Sequence, residues 1–273
     1  MKKICFVTTV SITIKSFLLG YGKYLAQNGY DVTYICDEDE SLNGLLSENM
    51  HYIPVKMKRG ISLDGLKVIK TLKKIFREKK FDIVQYSTPN ASLYASIAAK
   101  KAKVKNRLYC QWGIRYMGFE GGVKRWLFKR LEKTVCKNST YIECESFSLL
   151  DFRIKEKLYK EEKAKVIWNG SACGVNLSQY QIDTKEEWRE EIRNSLNVPK
   201  DAFVFGYAGR ITKDKGVNEL FTAFKKVSSE NENAYLFMIG KFDNEGTIDE
   251  ELKTWALNND KVKFVDWTGE IEK

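Results

Sequence analysis

Residues 209–216 form the segment of the sequence with the most potential chemistry. They hold two glycines, an arginine and two lysines, between an apolar, strand-like run and a stretch with helical spacing. That order predicts a strand, a loop and a helix, so the charged groups should lie at the carboxyl end of a strand, where open α/β sheets bind anions. Arg210 can grip a phosphate with two parallel hydrogen bonds, and Lys215 would act as a point charge. The loop therefore predicts a diphosphate site, unless both cations are ordinary solvated side chains.

Alternating strand and helix patterns must position this loop. Short apolar runs predict strands at 3–9, 31–36, 51–55, 83–86, 107–111, 140–144, 165–168, 203–208, 234–239 and 262–265. Helical spacing predicts helices at 17–28, 63–80, 91–101, 122–136, 147–158, 186–196, 217–227 and 249–258. This βαβα order predicts an α/β fold with parallel, doubly wound sheets. We expect two domains, residues 1–180 and 181–273.

Composition limits the class of protein. Of the 273 residues, 43% are hydrophobic and 30% are charged, which is typical of a soluble globular protein. No run approaches the roughly 18 to 20 apolar residues of a membrane span. None of the six cysteines belongs to a Cys-x-x-Cys pair, so we expect reduced thiols in a cytoplasmic protein. Because His51 is the one histidine, a His-based metal site is nearly excluded.

Charge is divided unevenly along the chain. Residues 1–140 hold 26 Lys and Arg against 11 Asp and Glu, a net charge of +15, whereas residues 141–273 hold 20 against 25, a net charge of −5. A basic domain could face nucleic acid, an anionic membrane or a phosphorylated substrate. No nucleic-acid-binding module is recognisable, so a nucleic-acid partner would rest on charge alone and is not expected.

Four motifs resemble those of one enzyme family. They are Asn28-Gly29-Tyr30-Asp31-Val32, Phe81-Asp82-Ile83-Val84, Asn169-Gly170-Ser171 followed by Gly174-Val175-Asn176, and Gly209-Arg210 with Lys215-Gly216. In their order and spacing the chain resembles the retaining GT-B glycosyltransferases of family 4, especially the bacterial enzymes of capsule and O-antigen synthesis. The resemblance implies two Rossmann-like, doubly wound domains that face a cleft.

The resemblance also implies a site for a nucleotide-sugar donor. Arg210 and Lys215 would be the catalytic cations, which neutralise the departing diphosphate together with backbone N–H groups and without a metal or another cofactor. The implied donor-binding residues are Gly209, Arg210, Lys215, Gly216, Asn169, Gly170, Ser171 and Gly240. Asn169-Gly170 is equally typical of a plain turn, so both interpretations stay open there. The implied acceptor is a polyprenyl-linked glycan, in the synthesis of a surface polysaccharide.

Four positions depart from the family pattern on the acceptor side. Ser11 and Thr13 stand where many relatives have a glycine pair, and Ser87 and Trp112 stand where many have histidines. Trp112 cannot transfer protons, but its ring could stack on a sugar, and Arg115 could meet an acceptor phosphate. Interior packing with one surface ion pair is the equal alternative for these last two residues.

The acidic segment Asp37-Glu38-Asp39 imitates the Asp-x-Asp metal clamp of GT-A glycosyltransferases. It closes a predicted strand and lies within an acidic run that is typical of a solvated loop. A divalent cation would need its oxygen ligands arranged by a different fold, so we expect no metal here.

The helix predicted near residues 122–137 is rich in Lys and Arg around an apolar side. It could lie on an anionic bilayer, at the inner face of the membrane, or pack against the sheet, and the second interpretation is favoured.

Relatives continue past the strand at 262–265 to a Glu-x7-Glu motif that holds the donor's sugar and ribose, whereas Glu270 is followed by three residues. We therefore expect a C-terminally truncated member, a fragment or the product of an interrupted gene, with weak donor binding. The alternative function is a non-catalytic GT-B-like protein that docks on a membrane assembly.

Overall fold

The computed structural model describes residues 1–57, 64–243 and 247–271. The chain forms two compact units, Met1–Gly174 and Val175–Lys273. The boundary predicted from the sequence, 180/181, lies a few residues inside the second of these units. Each unit has its own parallel sheet.

The described residues of the first unit form a seven-stranded parallel sheet. Its strands are β1 (Lys2–Val7), β2 (Tyr30–Cys36), β3 (Met50–Pro54), β4 (Ile83–Tyr86), β5 (Asn106–Gln111), β6 (Tyr141–Cys144) and β7 (Ala164–Val166). Their order across the sheet is β3-β2-β1-β4-β5-β6-β7. Ile4, Phe6 and Val7 of β1 are all buried, because helices cover both faces of a parallel sheet. The strand order reverses between β1 and β4, and such sheets bind ligands outside the carboxyl ends of the strands at that point.

Helices cover this sheet on both sides. Those in the described ranges are α1 (Ser11–Thr13), α2 (Leu19–Gln27), α3 (Asp64–Lys79), α4 (Pro89–Lys101), α5 (Gly122–Asn138) and α6 (Phe147–Lys155), with 3-10 turns at Glu40–Leu45, Arg115–Gly118 and Glu161–Lys163. In α3, Val68, Leu72 and Phe76 are buried at four-residue spacing. This spacing puts them on one face of the helix, which explains why the apolar periodicity of the sequence located α3 correctly.

The first helix begins earlier than the sequence predicts. Helical geometry starts at Ser11 and runs through a π-helical turn, Ile14–Leu18, into α2, whereas the predicted start was residue 17. β-branched side chains at residues 12–14 lower the helix propensity of this segment. Thr13, Ile14 and Leu18 are nevertheless buried, so packing against the sheet outweighs local propensity.

The second unit is a smaller parallel α/β layer in its described residues. Its strands, in the order β10-β9-β8, are β8 (Phe203–Ala208), β9 (Ala234–Ile239) and β10 (Val262–Val265). Its helices are α7 (Lys185–Ser195), α8 (Val217–Glu230) and α9 (Glu250–Leu257), with 3-10 turns at Leu177–Gln179, Ile182–Thr184 and Lys213–Lys215. Val217 and Phe221 of α8 are buried in one core with Leu236 of β9. That core fixes the start of α8 next to the loop that follows β8.

All six cysteines are free thiols; five are buried and Cys173 is exposed. Within the described ranges, no helix is both long and apolar enough to cross a lipid bilayer.

Candidate functional site

The loop between β8 and α8 has the strand, loop and helix order that the sequence predicts. Gly216 adopts a left-handed conformation and starts α8, which has no side-chain cap at its N-terminus. The Tyr207 hydroxyl donates a hydrogen bond to the backbone carbonyl of Arg210, at 2.7 Å, and Ile211 is buried. The backbone is therefore fixed on either side of the Arg210 side chain, while the first N–H groups of α8 carry the positive end of the helix dipole.

The loop that follows β9 lies directly against the loop that follows β8. The Gly209 N–H donates to the Ile239 carbonyl and the Ile211 N–H to the Lys241 carbonyl, both at 2.9 Å. Gly240 has a φ of 138°, and a Cβ atom there would overlap the carbonyl of Gly209, so only glycine fits. The structure thus brings together Gly209, Arg210 and Gly240, three of the predicted donor residues.

Carboxylates hold the guanidinium of Arg210. Its Nη1 lies 2.9 Å from Oδ2 of Asp243, and its Nη2 lies 3.6 Å from Oδ2 of Asp214. Lys215 is exposed and forms no salt bridge with any residue that the structure describes. Of the two cations of the predicted diphosphate site, Arg210 is therefore paired with carboxylates and Lys215 faces solvent.

The loops after β1 and β4 meet at the point where the strand order of the first unit reverses. The hydroxyls of Thr9 and Thr88 lie 2.9 Å apart, and Oγ1 of Thr88 also accepts a hydrogen bond from the Thr9 N–H at 3.0 Å. Ser87, a predicted acceptor residue, is fully buried beneath this pair, and its N–H donates to the Val7 carbonyl at 3.2 Å. In this conformation the Thr9–Thr88 pair, which the sequence did not single out, joins the two loops.

The other predicted acceptor residues near β1, Ser11 and Thr13, lie on the same helical segment as Lys15, a lysine that sequence reasoning missed. Ser11 is half-buried and Thr13 is buried. Lys15, in the π-helical turn, donates to Oδ2 of Asp39 and to Oγ of Ser41, each at 2.7 Å. The Lys15 ammonium holds the pKa of the Asp39 carboxyl well below its usual range.

Asp39 is therefore engaged with Lys15 and Ser41, and it belongs to the segment Asp37-Glu38-Asp39 that imitates a metal clamp. Within the described residues, no three His, Cys, Asp or Glu side chains converge on one point where a metal ion could sit.

Trp112 and Arg115 both contact aromatic rings of the protein. The Trp112 ring lies 5.5 Å from the ring of Phe17 and packs against the core on the α2 side of the sheet. Its buried Nε1 has no hydrogen-bond partner among the described residues. The guanidinium of Arg115 is exposed and lies 4.6 Å above the ring of Phe128. The Trp112 contact matches the packing alternative, whereas Arg115 lies over an aromatic ring and forms no ion pair with any described residue.

The segment Asn169-Gly170-Ser171 lies in the first unit, after β7. Trp168, Gly170 and Ser171 have positive φ values of 52°, 88° and 89°. The Ser171 N–H donates to the backbone carbonyl of Glu145, at 2.8 Å, and a Cβ atom on Gly170 would overlap the same carbonyl. The segment is thus a constrained turn that is bonded to the loop after β6.

Two family descriptions match the chain. "Glycosyl transferase 4-like" matches residues 3–146, and "Glycosyl transferases group 1" matches residues 188–273.

Among curated proteins, the chain is 32% identical over 264 residues to the capsular polysaccharide biosynthesis glycosyltransferase CapM of Staphylococcus aureus, covering 97% of this chain and 68% of that protein. It is 24% identical over 210 residues to the UDP-Gal:alpha-D-GlcNAc-diphosphoundecaprenol alpha-1,3-galactosyltransferase of Escherichia coli, covering 76% of this chain and 52% of that protein. It is 25% identical over 227 residues to the N,N'-diacetylbacillosaminyl-diphospho-undecaprenol alpha-1,3-N-acetylgalactosaminyltransferase of Campylobacter jejuni, covering 80% and 59%. The chain thus spans about half to two thirds of the length of these relatives.

Two solved structures show the same fold. Anabaena HepE, solved in complex with UDP and glucose, superposes with a TM-score of 0.74 at 17% identity, covering 100% of this chain and 71% of that one. A glycosyltransferase from Rickettsia africae superposes with a TM-score of 0.76 at 18% identity, covering 99% and 69%. These likenesses confirm the predicted α/β fold of the GT-B class, with two Rossmann-like units.

Proposed function

Since the chain belongs to the glycosyltransferases of the 4-like and group 1 families, we propose that it moves a sugar from a nucleotide-sugar donor to a lipid-linked glycan in surface polysaccharide synthesis. One observation of the structure carries this proposal. Arg210 lies at the carboxyl end of β8 and next to the N-terminus of α8, and its backbone is fixed by Tyr207 and by the Gly209–Gly240 contact. A fixed cation at that edge of a parallel sheet is suited to an anionic diphosphate.

The proposed chemistry assigns a role to each group of this loop. As the bond between the anomeric carbon and the diphosphate oxygen breaks, negative charge grows on the leaving group. Arg210 binds that charge with two N–H groups, Lys215 adds a point charge, and the first N–H groups of α8 supply the helix dipole. These groups are the proposed alternative to a metal ion. We extend the proposal to retention of configuration at the anomeric carbon, on the basis of the family resemblance of the motifs.

The acceptor is proposed to bind at the carboxyl edge of the first unit. The relatives from Escherichia coli and Campylobacter jejuni are named for acceptors linked to diphosphoundecaprenol. Lys15 and Arg115 are cations at this edge that could meet a diphosphate. The uneven charge of the chain agrees with this assignment, because its basic part, residues 1–140, lies wholly within the first unit.

Helix α5 is proposed to contact an anionic membrane. Val123, Trp126 and Leu127 in its first turns are 80%, 60% and 43% exposed, whereas Val135 near its end is buried. An exposed apolar cluster on a basic helix suits the boundary between lipid headgroups and acyl chains. The helix therefore combines both sequence interpretations, since its second half packs on the sheet and its first half offers an apolar surface.

The structure selects the residues for a membrane test. Arg125 donates to the Phe119 carbonyl at 2.9 Å and Lys129 bonds Glu156 at 2.7 Å, so both serve the fold. Lys124→Glu, at an exposed position of α5, should instead lower binding to vesicles of anionic lipid and leave thermal stability unchanged. Unchanged sedimentation with those vesicles would contradict membrane contact through α5.

The donor site is tested by Arg210→Ala, with Lys226→Ala on the exposed side of α8 as the matched control. Loss of a hydrogen-bonded charge pair with phosphate should weaken UDP binding by about tenfold or more, whereas the control should stay within about twofold. Isothermal titration with UDP measures both constants. Equal affinities of the two variants for UDP would refute the site.

A further inference from the structure

Glu145, which follows β6, is bonded to the loops on both sides of it. Its carboxylate oxygen Oε1 accepts a hydrogen bond from the backbone N–H of Gly113, at 3.0 Å, in the loop after β5. Its backbone carbonyl accepts from the N–H of Ser171, at 2.8 Å, in the loop after β7. We name residues 112–115 the acceptor loop and residues 167–174 the NGS loop. One residue thus connects the acceptor loop, the end of β6 and the NGS loop.

Arg153 fixes the orientation of the Glu145 carboxylate. The Arg153 side chain is fully buried, and its Nη1 and Nη2 bond the two carboxylate oxygens of Glu145 at 2.8 and 2.9 Å. Two parallel hydrogen bonds of this kind define one plane, and burial of the guanidinium keeps competing water away. The position of Oε1, which receives the Gly113 N–H, is therefore set by the fold of α6.

The backbone of the NGS loop depends on the same residue. Ser171 has a φ of 89°, which is rare for a residue with a side chain and persists only where surrounding contacts impose it. Here those contacts are the bond from Ser171 N–H to the Glu145 carbonyl and the bond from Gly174 N–H to Ser171 Oγ, at 3.2 Å. Gly170 lies so close to the Glu145 carbonyl that no side chain fits between them.

We propose that Glu145 is a positioning residue for both the acceptor loop and the NGS loop. It sets Trp112 and Arg115 through Gly113, and it sets Asn169-Gly170-Ser171 through its carbonyl, so that groups from three strand ends keep one arrangement. This inference rests on the proposed glycosyl transfer. Glu145 acts through other residues and touches no reacting atom.

Variants of Glu145 are compared with matched variants of Glu143. Glu143 is also a carboxylate, on β6, but it accepts a hydrogen bond from Cys110 Sγ, at 2.9 Å, and among the described residues its side chain forms no hydrogen bond with either loop. With UDP-galactose as donor and diphosphoundecaprenol-linked GlcNAc as acceptor, Glu145→Ala should raise the acceptor KM by about tenfold or more, the size of one lost hydrogen bond to a charged group. The donor KM should rise less than the acceptor KM, because the NGS loop, which holds the implied donor residues, keeps its bond to the Glu145 backbone carbonyl in this variant. Glu143→Ala should change neither value by more than about twofold.

Glu145→Gln provides the conservative rescue. Its amide oxygen can still accept the Gly113 N–H, although it cannot also satisfy Arg153 as two carboxylate oxygens do. Its acceptor KM should therefore fall between those of the wild type and Glu145→Ala. If Glu145→Ala does not fold, the acceptor KM of Glu145→Gln is compared with that of Glu143→Gln. Equal acceptor KM values would overturn the proposal.

A second readout does not depend on sugar transfer. Cys173, the exposed thiol of the NGS loop, should react faster with a maleimide in the Glu145 variants than in the Glu143 variants. The Glu145 carbonyl that bonds Ser171 remains in these variants, but the two carboxylate bonds to Arg153 that fix the position of Glu145 are lost or weakened. A wild type that transfers no sugar from any of a panel of nucleotide-sugar donors would refute the proposed function, and the thiol rates would still test the positioning role of Glu145. Equal thiol rates in folded Glu145 and Glu143 variants would refute the role of Glu145.

Discussion

Replacing Asp243 by asparagine should tighten diphosphate binding, because the carboxylate of Asp243 competes for Arg210. The two side chains lie 2.9 Å apart and are 49% and 56% exposed. A solvent-exposed pair of this kind contributes about 0.2–1 kcal/mol. A diphosphate that binds Arg210 must displace the Asp243 carboxylate. Since a tenfold change in Kd corresponds to about 1.4 kcal/mol, removing this competition should lower the Kd for UDP by about 1.4- to 5-fold. Asparagine keeps the size of the side chain and can still accept a hydrogen bond from Arg210.

The assay is isothermal titration with UDP at about 0.05 M and about 0.5 M salt, since screening should shrink the difference at the higher concentration. Asp266→Asn is the matched control, because Asp266 forms an exposed pair with Lys241 at 3.5 Å, on the loop after β9. Weaker UDP binding by Asp243→Asn than by the wild type would refute the competition. That result would mean that Asp243 holds Arg210 in its productive orientation.

Two further predictions concern close contacts and burial. Gly240→Ala should lower the free energy of unfolding, measured by urea denaturation, by about 1–3 kcal/mol and weaken UDP binding, because its Cβ would push the Gly209 carbonyl away. Gly206→Ala is the control, because a Cβ atom at Gly206 would have no other atom within 4 Å. Burial raises the pKa of Glu132, which accepts hydrogen bonds from Tyr109 and Gln111. The folded state therefore favours the protonated form, so the contribution of Glu132 to the free energy of unfolding should fall as the pH rises from about 4.3 through the raised pKa. Glu132→Gln should remove that decrease, and identical pH profiles of stability for the two proteins would contradict the burial argument.

The order of strands and helices could be predicted from the sequence because it depends on local apolar patterns. Strands β4, β9 and β10 have the bounds that those patterns predict. The start of the first helix could not be predicted, since it depends on burial of Thr13 and Ile14 against a sheet built from distant parts of the chain. Local propensity at those β-branched residues favours the wrong answer.

The candidate site also contains residues that the sequence indicates and residues that it does not. Arg210 could be proposed as a site residue from the sequence because a cation at a strand–loop–helix junction is a local pattern. Its partner Asp243 is 33 residues away and belongs to the loop after the next strand. Glu145 is 32 residues from Gly113, and nothing local marks it as the residue that joins two loops. Parallel sheets bring such residues together through crossover connections, so their pairing becomes visible only when the strand order is known.

Arg210 and Lys15 are each paired with a carboxylate. The pairing of Arg210 predicts how the donor site discriminates between ligands with one phosphate group and ligands with two. Each cation has a carboxylate as its closest partner, Asp243 at 2.9 Å and Asp39 at 2.7 Å. A single phosphate group at Arg210 replaces the Asp243 carboxylate, so the contribution of that exposed pair, about 0.2–1 kcal/mol, is subtracted from its gain. A second phosphate group adds charge that Lys215 and the N-terminus of α8 can bind without losing an existing partner.

We therefore expect UDP to bind at least about tenfold more tightly than UMP, which corresponds to about 1.4 kcal/mol from the second phosphate. Competition titration at constant ionic strength measures this ratio. In Asp243→Asn the ratio should change little, because UDP and UMP gain the same amount when that carboxylate no longer competes for Arg210. A ratio near one in the wild type would show that the second phosphate meets neither Lys215 nor the helix N-terminus, and the proposed diphosphate grip would have to be abandoned.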